Sequence, residues 1–303
     1  MKLAFIIFIF YSLLPFTCRA QVPSDLPNVA YGSDIKQQMD VWLAQSDEPT
    51  PVVVYIHGGG WVGGTKKLKP KDRWSNLQTL ILEKGISFIS IDYRLNKDGN
   101  KLPTPINDAA RAIQFIRHNA TSWNIDKKRI AVMGGSAGGC ISLWLLLHDD
   151  LAEPESEDLV SRESTRVLGA ISQNGQTNID PKWIEKTIGI EGAKHQMIWR
   201  AVGADSLAEA LEGYDQWQSL YHKYSPINHL DQNDPPYLGI YRKDQPIPAE
   251  TVGEGIHHGL FGAKLKEKSD AIGHIGYLTH SSDNPYENEI DFLVTILGNE
   301  RDQ

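Results

Sequence analysis

Ser136 stands in "AVMGGSAGGC", residues 131–140, a single hydroxyl among four glycines directly after a short apolar run. Gly134, Ser136 and Gly138 have the spacing G-x-S-x-G. A strand that turns abruptly into a helix forces its corner residue into strained backbone angles, which the chain tolerates only where the neighbours lack bulk. The helix beginning there would aim unpaired N–H groups and its positive dipole end at the serine oxygen and at whatever that oxygen attacks. Such a corner suits a nucleophile for acyl transfer. The plainer alternative is a glycine-rich turn that only lets two elements pack closely.

A second glycine run, "YIHGGGWVGG" at 55–64, can turn backbone donors toward a developing oxyanion. Lys66 and Lys67 behind it invite comparison with a phosphate loop, yet no G-K-[ST] follows and no dinucleotide fingerprint occurs.

Both runs end short β-branched apolar stretches, and the rest of the chain has the same rhythm. "PVVVYIH" (51–57), "ISFISIDY" (86–93), "RIAVMGG" (129–135), "RVLGAISQ" (166–173), "YLGIY" (237–241) and "IGYLT" (275–279) have the character of strands buried on both faces. Between them lie helical patterns such as "INDAARAIQFIRHNA" (106–120) and "CISLWLLLH" (140–148). Strand and helix in alternation predict an α/β fold with a mostly parallel sheet covered on both sides. "NVAYGSD" and "KQQMDVWLA" look like an opening antiparallel hairpin, and "ENEIDFLVTIL" like a closing amphipathic helix. Residues 177–230 interrupt the rhythm with helix-like segments carrying Trp183, Trp199 and Trp217. An insertion there would overhang the strand ends as a cap, or its aromatics simply pack.

The first twenty residues have the form of a secretory leader: Lys2, the apolar stretch "LAFIIFIFYSLLPF", then small residues Cys18 and Ala20 before Gln21. The stretch is short for a membrane span and contains Pro15, and Phe16 and Thr17 fit a lipoprotein signal at Cys18 poorly. The expectation is a secreted or periplasmic protein without a stable membrane anchor, one domain over 21–303. The net charge of −8 becomes −10 when Lys2 and Arg19 leave with the leader, which disfavours nucleic acid as a partner. Cys140 is then the only cysteine, so no intramolecular disulfide is expected.

Taken together, HGGGW and GGSAGG resemble the α/β-hydrolase superfamily, specifically its bacterial esterase branch that includes hormone-sensitive-lipase-like and feruloyl or acetyl-xylan esterase-like enzymes. "YGSDIKQQMDVWL", "IDYRL", "NIDKKRIAVMGGSAGG" and "YSPINHLDQNDPPYL" extend the resemblance over nearly the whole chain after the leader. It implies a serine carboxylester hydrolase with chain order serine, acid, histidine, no metal or organic cofactor, and oxyanion donors from the N–H groups of Gly58, Gly59 and Ala137. In that order the base comes late, so His57 is expected to serve the turn it sits in.

Similar enzymes carry the acid in a stretch like HGxxDxxVP. "YRKDQPIP" (241–248) keeps Asp244, Ile247 and Pro248 in register and loses the histidine–glycine pair. Asp244 is the expected acid; Glu250 and Glu254 are reserves, and Asp231 and Asp234 precede the strand and so belong to the wrong end of the sheet. For the base, His274 in "AIGHIG" competes with His280 in "YLTHSSDNPY". A helix over 257–272 capped by Gly273 would leave His274 at the start of the last strand, whereas His280 follows that strand, at the edge where parallel sheets gather catalytic groups. His280 is therefore the expected base. The neighbouring pair His257 and His258 could hold a metal in principle, but adjacent imidazoles on a lone loop are expected to do nothing, and no metal site is predicted. Two other readings stay open: a binding protein whose acid–base pair has decayed, and a peptidase of the prolyl-oligopeptidase type, against which the HGGGW run and the lack of a propeller domain both speak.

Overall fold

The run TPVVVYI forms β3 (Thr50–Ile56) because branched side chains suit extended backbone, and successive residues leave on opposite faces. Val52, Val54 and Ile56 enter one apolar cluster, Val53 and Tyr55 the other. In the computed structural model, residues 23–97 and 99–298 are described; the leader expected at 1–20 lies outside them.

The eight strands are β1 (Leu26–Ala30), β2 (Gln38–Trp42), β3, β4 (Ser87–Ile91), β5 (Ile125–Gly135), β6 (Ala170–Gln173), β7 (Tyr237–Ile240) and β8 (Gly276–Leu278). They lie in the order β1-β2-β4-β3-β5-β6-β7-β8. The opening hairpin is antiparallel, as expected, and every pairing from β4 to β8 is parallel. Parallel strands need crossovers, which α1 (Arg73–Glu83), α2 (Thr104–Asn119) and α3 (Ala137–Leu147) supply among the first strands.

Between β6 and β7 the expected insertion is helical: α4 (Pro181–Thr187), α5 (Ile190–Ala193), α6 (Gln196–Arg200), α7 (Leu207–Glu212), α8 (Tyr214–Lys223) and a 3₁₀ turn at Pro226–Asn228. Its Trp183 stacks on Phe261 with ring centroids 5.8 Å apart, a packing contact. After β7 come α9 (Val252–Ile256) and α10 (Leu260–Ile272), then β8 and α11 (Glu289–Leu297). Gly273 ends α10 in the left-handed conformation, φ 74°, the stop its sequence suggested.

Leu77 and Ile81 of α1 with Phe292, Leu293 and Leu297 of α11 cover one face of the sheet. The other face lies under α2, α3 and the inserted helices, through residues such as Ile106, Ile113, Leu143 and Ile184. α3 is buried along its whole length, which explains why its sequence is apolar all round. Cys140 within it is a free, buried thiol.

Candidate functional site

The carboxyl ends of β3 and β5 bring the two glycine runs together. β5 stops at Gly135, α3 starts at Ala137, and Ser136 between them has φ 53° and ψ −125°. That is a strained corner for a residue with a Cβ. Two backbone hydrogen bonds hold it: Ser136 N–H donates to Gln173 O at 2.8 Å, and Cys140 N–H donates to Ser136 O at 2.9 Å. Gly138 shows why the corner lacks bulk. A Cβ there would lie 2.0 Å from Ile56 O, so the first turn of α3 could not sit against the end of β3.

The glycine run after β3 passes in front of the serine. Gly58 lines the same cavity as Ser136, and a Cβ on it would lie 3.4 Å from the serine Cβ. The N–H groups of Gly58 and Gly59 have no acceptor among the described residues. Ala137, as the first residue of α3, has no intrahelical acceptor for its own N–H. Of the three donors named from the sequence, Gly58 lines the cavity of the serine and Ala137 follows the serine directly, whereas Gly59 is not among the residues that line the cavity. His57 serves the loop, as expected: its Nδ1–H donates to Gly58 O at 2.7 Å and its ring stacks on Tyr93 at 4.2 Å. Tyr93 in turn donates its hydroxyl to His57 O at 2.8 Å. Burial, the largest influence on it, holds the His57 imidazole below its ordinary pKa.

The imidazole on the serine is that of His257. Its Nε2 lies 2.9 Å from Ser136 Oγ. Its Nδ1 lies 3.1 Å from Gly253 O, and because a carbonyl only accepts, Nδ1 carries the proton. Nε2 is then the free lone pair that receives the serine hydroxyl. Burial lowers the pKa of His257, the Gly253 carbonyl opposes that, and the charge of Arg242 lowers it further.

This corrects the expectation for the base. His280 follows β8 as its position suggested, but it is exposed, and its carbonyl accepts a hydrogen bond from Lys243 Nζ at 3.2 Å. Burial and Lys243 lower the pKa of His280, against weaker effects from the backbone of Tyr241 and the Asp244 carboxylate. Asp244 therefore belongs to the surroundings of His280. It is exposed, with φ 55°, and the imidazole that lies on the serine has its Nδ1 on the Gly253 carbonyl rather than on a carboxylate. Of the reserve carboxylates, Glu250 is exposed, while Glu254 lines the cavity and accepts a hydrogen bond from Thr251 Oγ1 at 3.0 Å. Asp231 N–H donates to the Asp234 carboxylate at 2.7 Å before β7, where His274 also lies, buried and stacked on Tyr237.

His257 was missed because its position depends on contacts far along the chain. It ends α9, which crosses α5 of the insertion almost backbone to backbone: a Cβ on Gly255 would lie 2.4 Å from Gly192 N. Gln176 Nε2 donates to Ile256 O at 2.7 Å, and Ala249 N–H to Ile188 O at 2.9 Å. The adjacent imidazole has a different task. His258 is buried, accepts from Leu260 N–H at 3.1 Å and donates to Pro246 O at 3.3 Å, tying the loop after β7 to the start of α10. The one local signal was "GEGIHHG", a histidine pair set among glycines much as the serine is. His195, the N-cap of α6, also approaches from the insertion: a Cβ on Gly60 would lie 3.0 Å from its ring.

The cavity in front of Ser136 has a volume of about 560 Å³. Besides Gly58, Ser136 and His257, Trp74, Gln173, Asn174, Arg242, Thr251 and Glu254 face it. Trp74 is half-buried and packs on Tyr55 at 4.7 Å. Asn174 Oδ1 is buried without a hydrogen-bond partner among the described residues. No group of histidine, cysteine, aspartate and glutamate side chains among the described residues has a metal-holding arrangement, and no helix there is long and apolar enough to cross a membrane.

Known proteins resemble this chain along most of its length. Esterase LipC of Mycobacterium tuberculosis is 28% identical over 225 residues, 73% of this chain and 52% of LipC. The carboxylesterase NlhH of the same species is 40% identical over 102 residues, 33% of this chain and 30% of NlhH. The chain thus spans about half the length, or less, of these curated relatives. Among solved structures, an acetyl ester-xyloside bifunctional hydrolase from Caldicellulosiruptor lactoaceticus superposes with a TM-score of 0.61 at 21% identity, covering 80% of this chain and 75% of that one. A truncated carbohydrate esterase from gut microbiota gives 0.62 at 20% identity, over 84% and 88%. These structures establish the α/β-hydrolase fold, and the model of the BD-FAE family matches residues 39–252. With its serine corner and glycine loop both inside that span, the chain belongs to the BD-FAE family of α/β-hydrolases.

Proposed function

We propose that the protein is a serine carboxylester hydrolase that works through an acyl-enzyme on small acylated carbohydrates. The observation that carries this reading is the 2.9 Å contact between Ser136 Oγ and His257 Nε2 at the corner between β5 and α3. A hydroxyl alone is a poor nucleophile at neutral pH, and a neutral imidazole with its lone pair on that hydroxyl removes the obstacle.

In this mechanism His257 takes the Ser136 proton as Oγ attacks the ester carbonyl. The Gly253 carbonyl holds the tautomer throughout. The N–H groups of Gly58, Gly59 and Ala137 receive the oxyanion of the tetrahedral intermediate, each donor lowering the barrier by about 3 kcal/mol. The imidazolium then protonates the departing alcohol, leaving the acyl group on Oγ. Water, deprotonated by the same imidazole, releases the acid and restores the hydroxyl.

The substrate class is drawn from the cavity. Five of its faces are amide, hydroxyl, carboxylate or guanidinium groups, from Gln173, Asn174, Thr251, Glu254 and Arg242, and the half-buried ring of Trp74 adds an apolar surface. Hydroxyl-rich ligands need many hydrogen-bonding partners and an aromatic face, whereas a long acyl chain would need apolar walls. The two solved neighbours, an acetyl ester-xyloside bifunctional hydrolase and a carbohydrate esterase, agree with this reading. The apolar leader fits an exported enzyme that meets such substrates outside the cytoplasm.

An organophosphonate offered to the purified protein is expected to add to the peptide that contains Ser136, as read by mass spectrometry. A protein that is unmodified, or modified elsewhere, would be a decayed binding protein. The pH profile supplies a second check. Because burial and Arg242 keep His257 below the ordinary histidine value of 6.5, its neutral form persists to lower pH. The acid limb of kcat/KM on a neutral ester should fall below that value, with activity lost as pH drops through it; a limb at or above it removes His257 as the titrating base.

A further inference from the structure

Arg242 is a cation without a partner in the site of an acidic protein. It follows β7 by two residues, at the carboxyl end of the sheet, and faces the same cavity as Ser136 and His257. Its guanidinium forms no hydrogen bond or ion pair with any other described residue. The neighbouring cations are engaged: Lys243 Nζ donates to His280 O, and Arg73 is paired with Glu289. The one carboxylate lining the cavity, Glu254, is turned to Thr251 Oγ1 at 3.0 Å and makes no ion pair with Arg242. The chain as a whole carries a charge of −8, so an unpaired positive group at the reaction centre is a local departure from its surroundings.

A guanidinium is a planar fork whose two N–H donors match the two oxygens of a carboxylate. One such fork balances one negative charge. A phosphate dianion would leave a second charge uncompensated, with Glu254 nearby to repel it.

The geometry points to Arg242 as the residue that selects esters carrying a carboxylate, such as acylated uronic acids or half-esters of dicarboxylic acids. This rests on the ester hydrolase reading above. The cavity volume of about 560 Å³ accommodates a sugar of that size beside the scissile ester.

Two substrate pairs test it and distinguish which side of the ester bears the charge. On the acyl side, 4-nitrophenyl hemisuccinate is compared with 4-nitrophenyl butyrate; on the alcohol side, an acetylated methyl glucuronoside is compared with the acetylated methyl glucoside. In at least one pair the wild-type protein should favour the anionic member in kcat/KM by roughly tenfold, the size expected of one charge-assisted pair at an exposed site. Arg242→Gln should erase that ratio, Arg242→Lys should restore part of it by returning the charge without the fork, and added salt should shrink it. A wild-type preference for neither anionic ester, or a ratio that Arg242→Gln leaves intact, overturns the proposal. Failure of the wild-type protein to hydrolyse any of the four esters would instead remove the hydrolase reading on which it stands.

Discussion

Ser136→Ala is expected to lower hydrolysis of 4-nitrophenyl acetate by on the order of 10⁴-fold or more, down to the background that oriented amide donors alone can give. The substitution deletes one oxygen and nothing else. Alanine keeps the Cβ, so the strained φ of 53° is neither relieved nor worsened. The two hydrogen bonds that hold the corner are made by the backbone of residue 136 and survive. An unchanged thermal midpoint alongside lost turnover therefore separates chemistry from folding. A variant that retains even a tenth of the activity would take the serine out of the mechanism.

His257→Ala follows with a loss on the order of 10³-fold or more, because without an acceptor the hydroxyl must lose its proton to water. The informative comparison is with His280→Ala and Asp244→Asn, each expected within about threefold of wild type, since surface changes away from the reacting groups are nearly neutral. Where a carboxylate holds the catalytic imidazole, converting it to an amide costs about 10⁴-fold by stabilising the wrong tautomer. In this site a backbone carbonyl holds the tautomer at 3.1 Å, so that cost has no route through Asp244. If His280→Ala or Asp244→Asn abolished turnover while His257→Ala survived, the serine contact with His257 would be incidental and catalysis would belong to the ends of β7 and β8.

Much of the fold was legible because its signals are local. "PVVVYIH" and "RIAVMGG" are too short and too branched for helices, and they recur with helical patterns between them. The hairpin, the apolar α3 and the Gly273 stop were visible for the same reason. The serine corner was legible too, since Gly134 and Gly138 are needed by backbone atoms only a few residues away or on the neighbouring strand. His274 was placed correctly by its position at the start of the last strand, and His57 by the chain order that puts the base late.

The base was a different matter. Strand ends are a rule of topology, and the rule selected His280, while register with the HGxxDxxVP stretch selected Asp244; the two do lie near each other after β8 and β7. It could not see that the chain between those strands carries another imidazole back across to the serine.

The amino-acid sequence by itself determined the alternation of strand and helix, the corner at Ser136 and the glycine loop in front of it, because each depends on interactions among residues near in the chain or paired within one sheet. Only the tertiary structure decided which histidine reaches the hydroxyl. That choice rests on the α5–α9 crossing at Gly192 and Gly255, a contact between segments more than sixty residues apart, and no local pattern of residue types encodes how closely two such backbones approach.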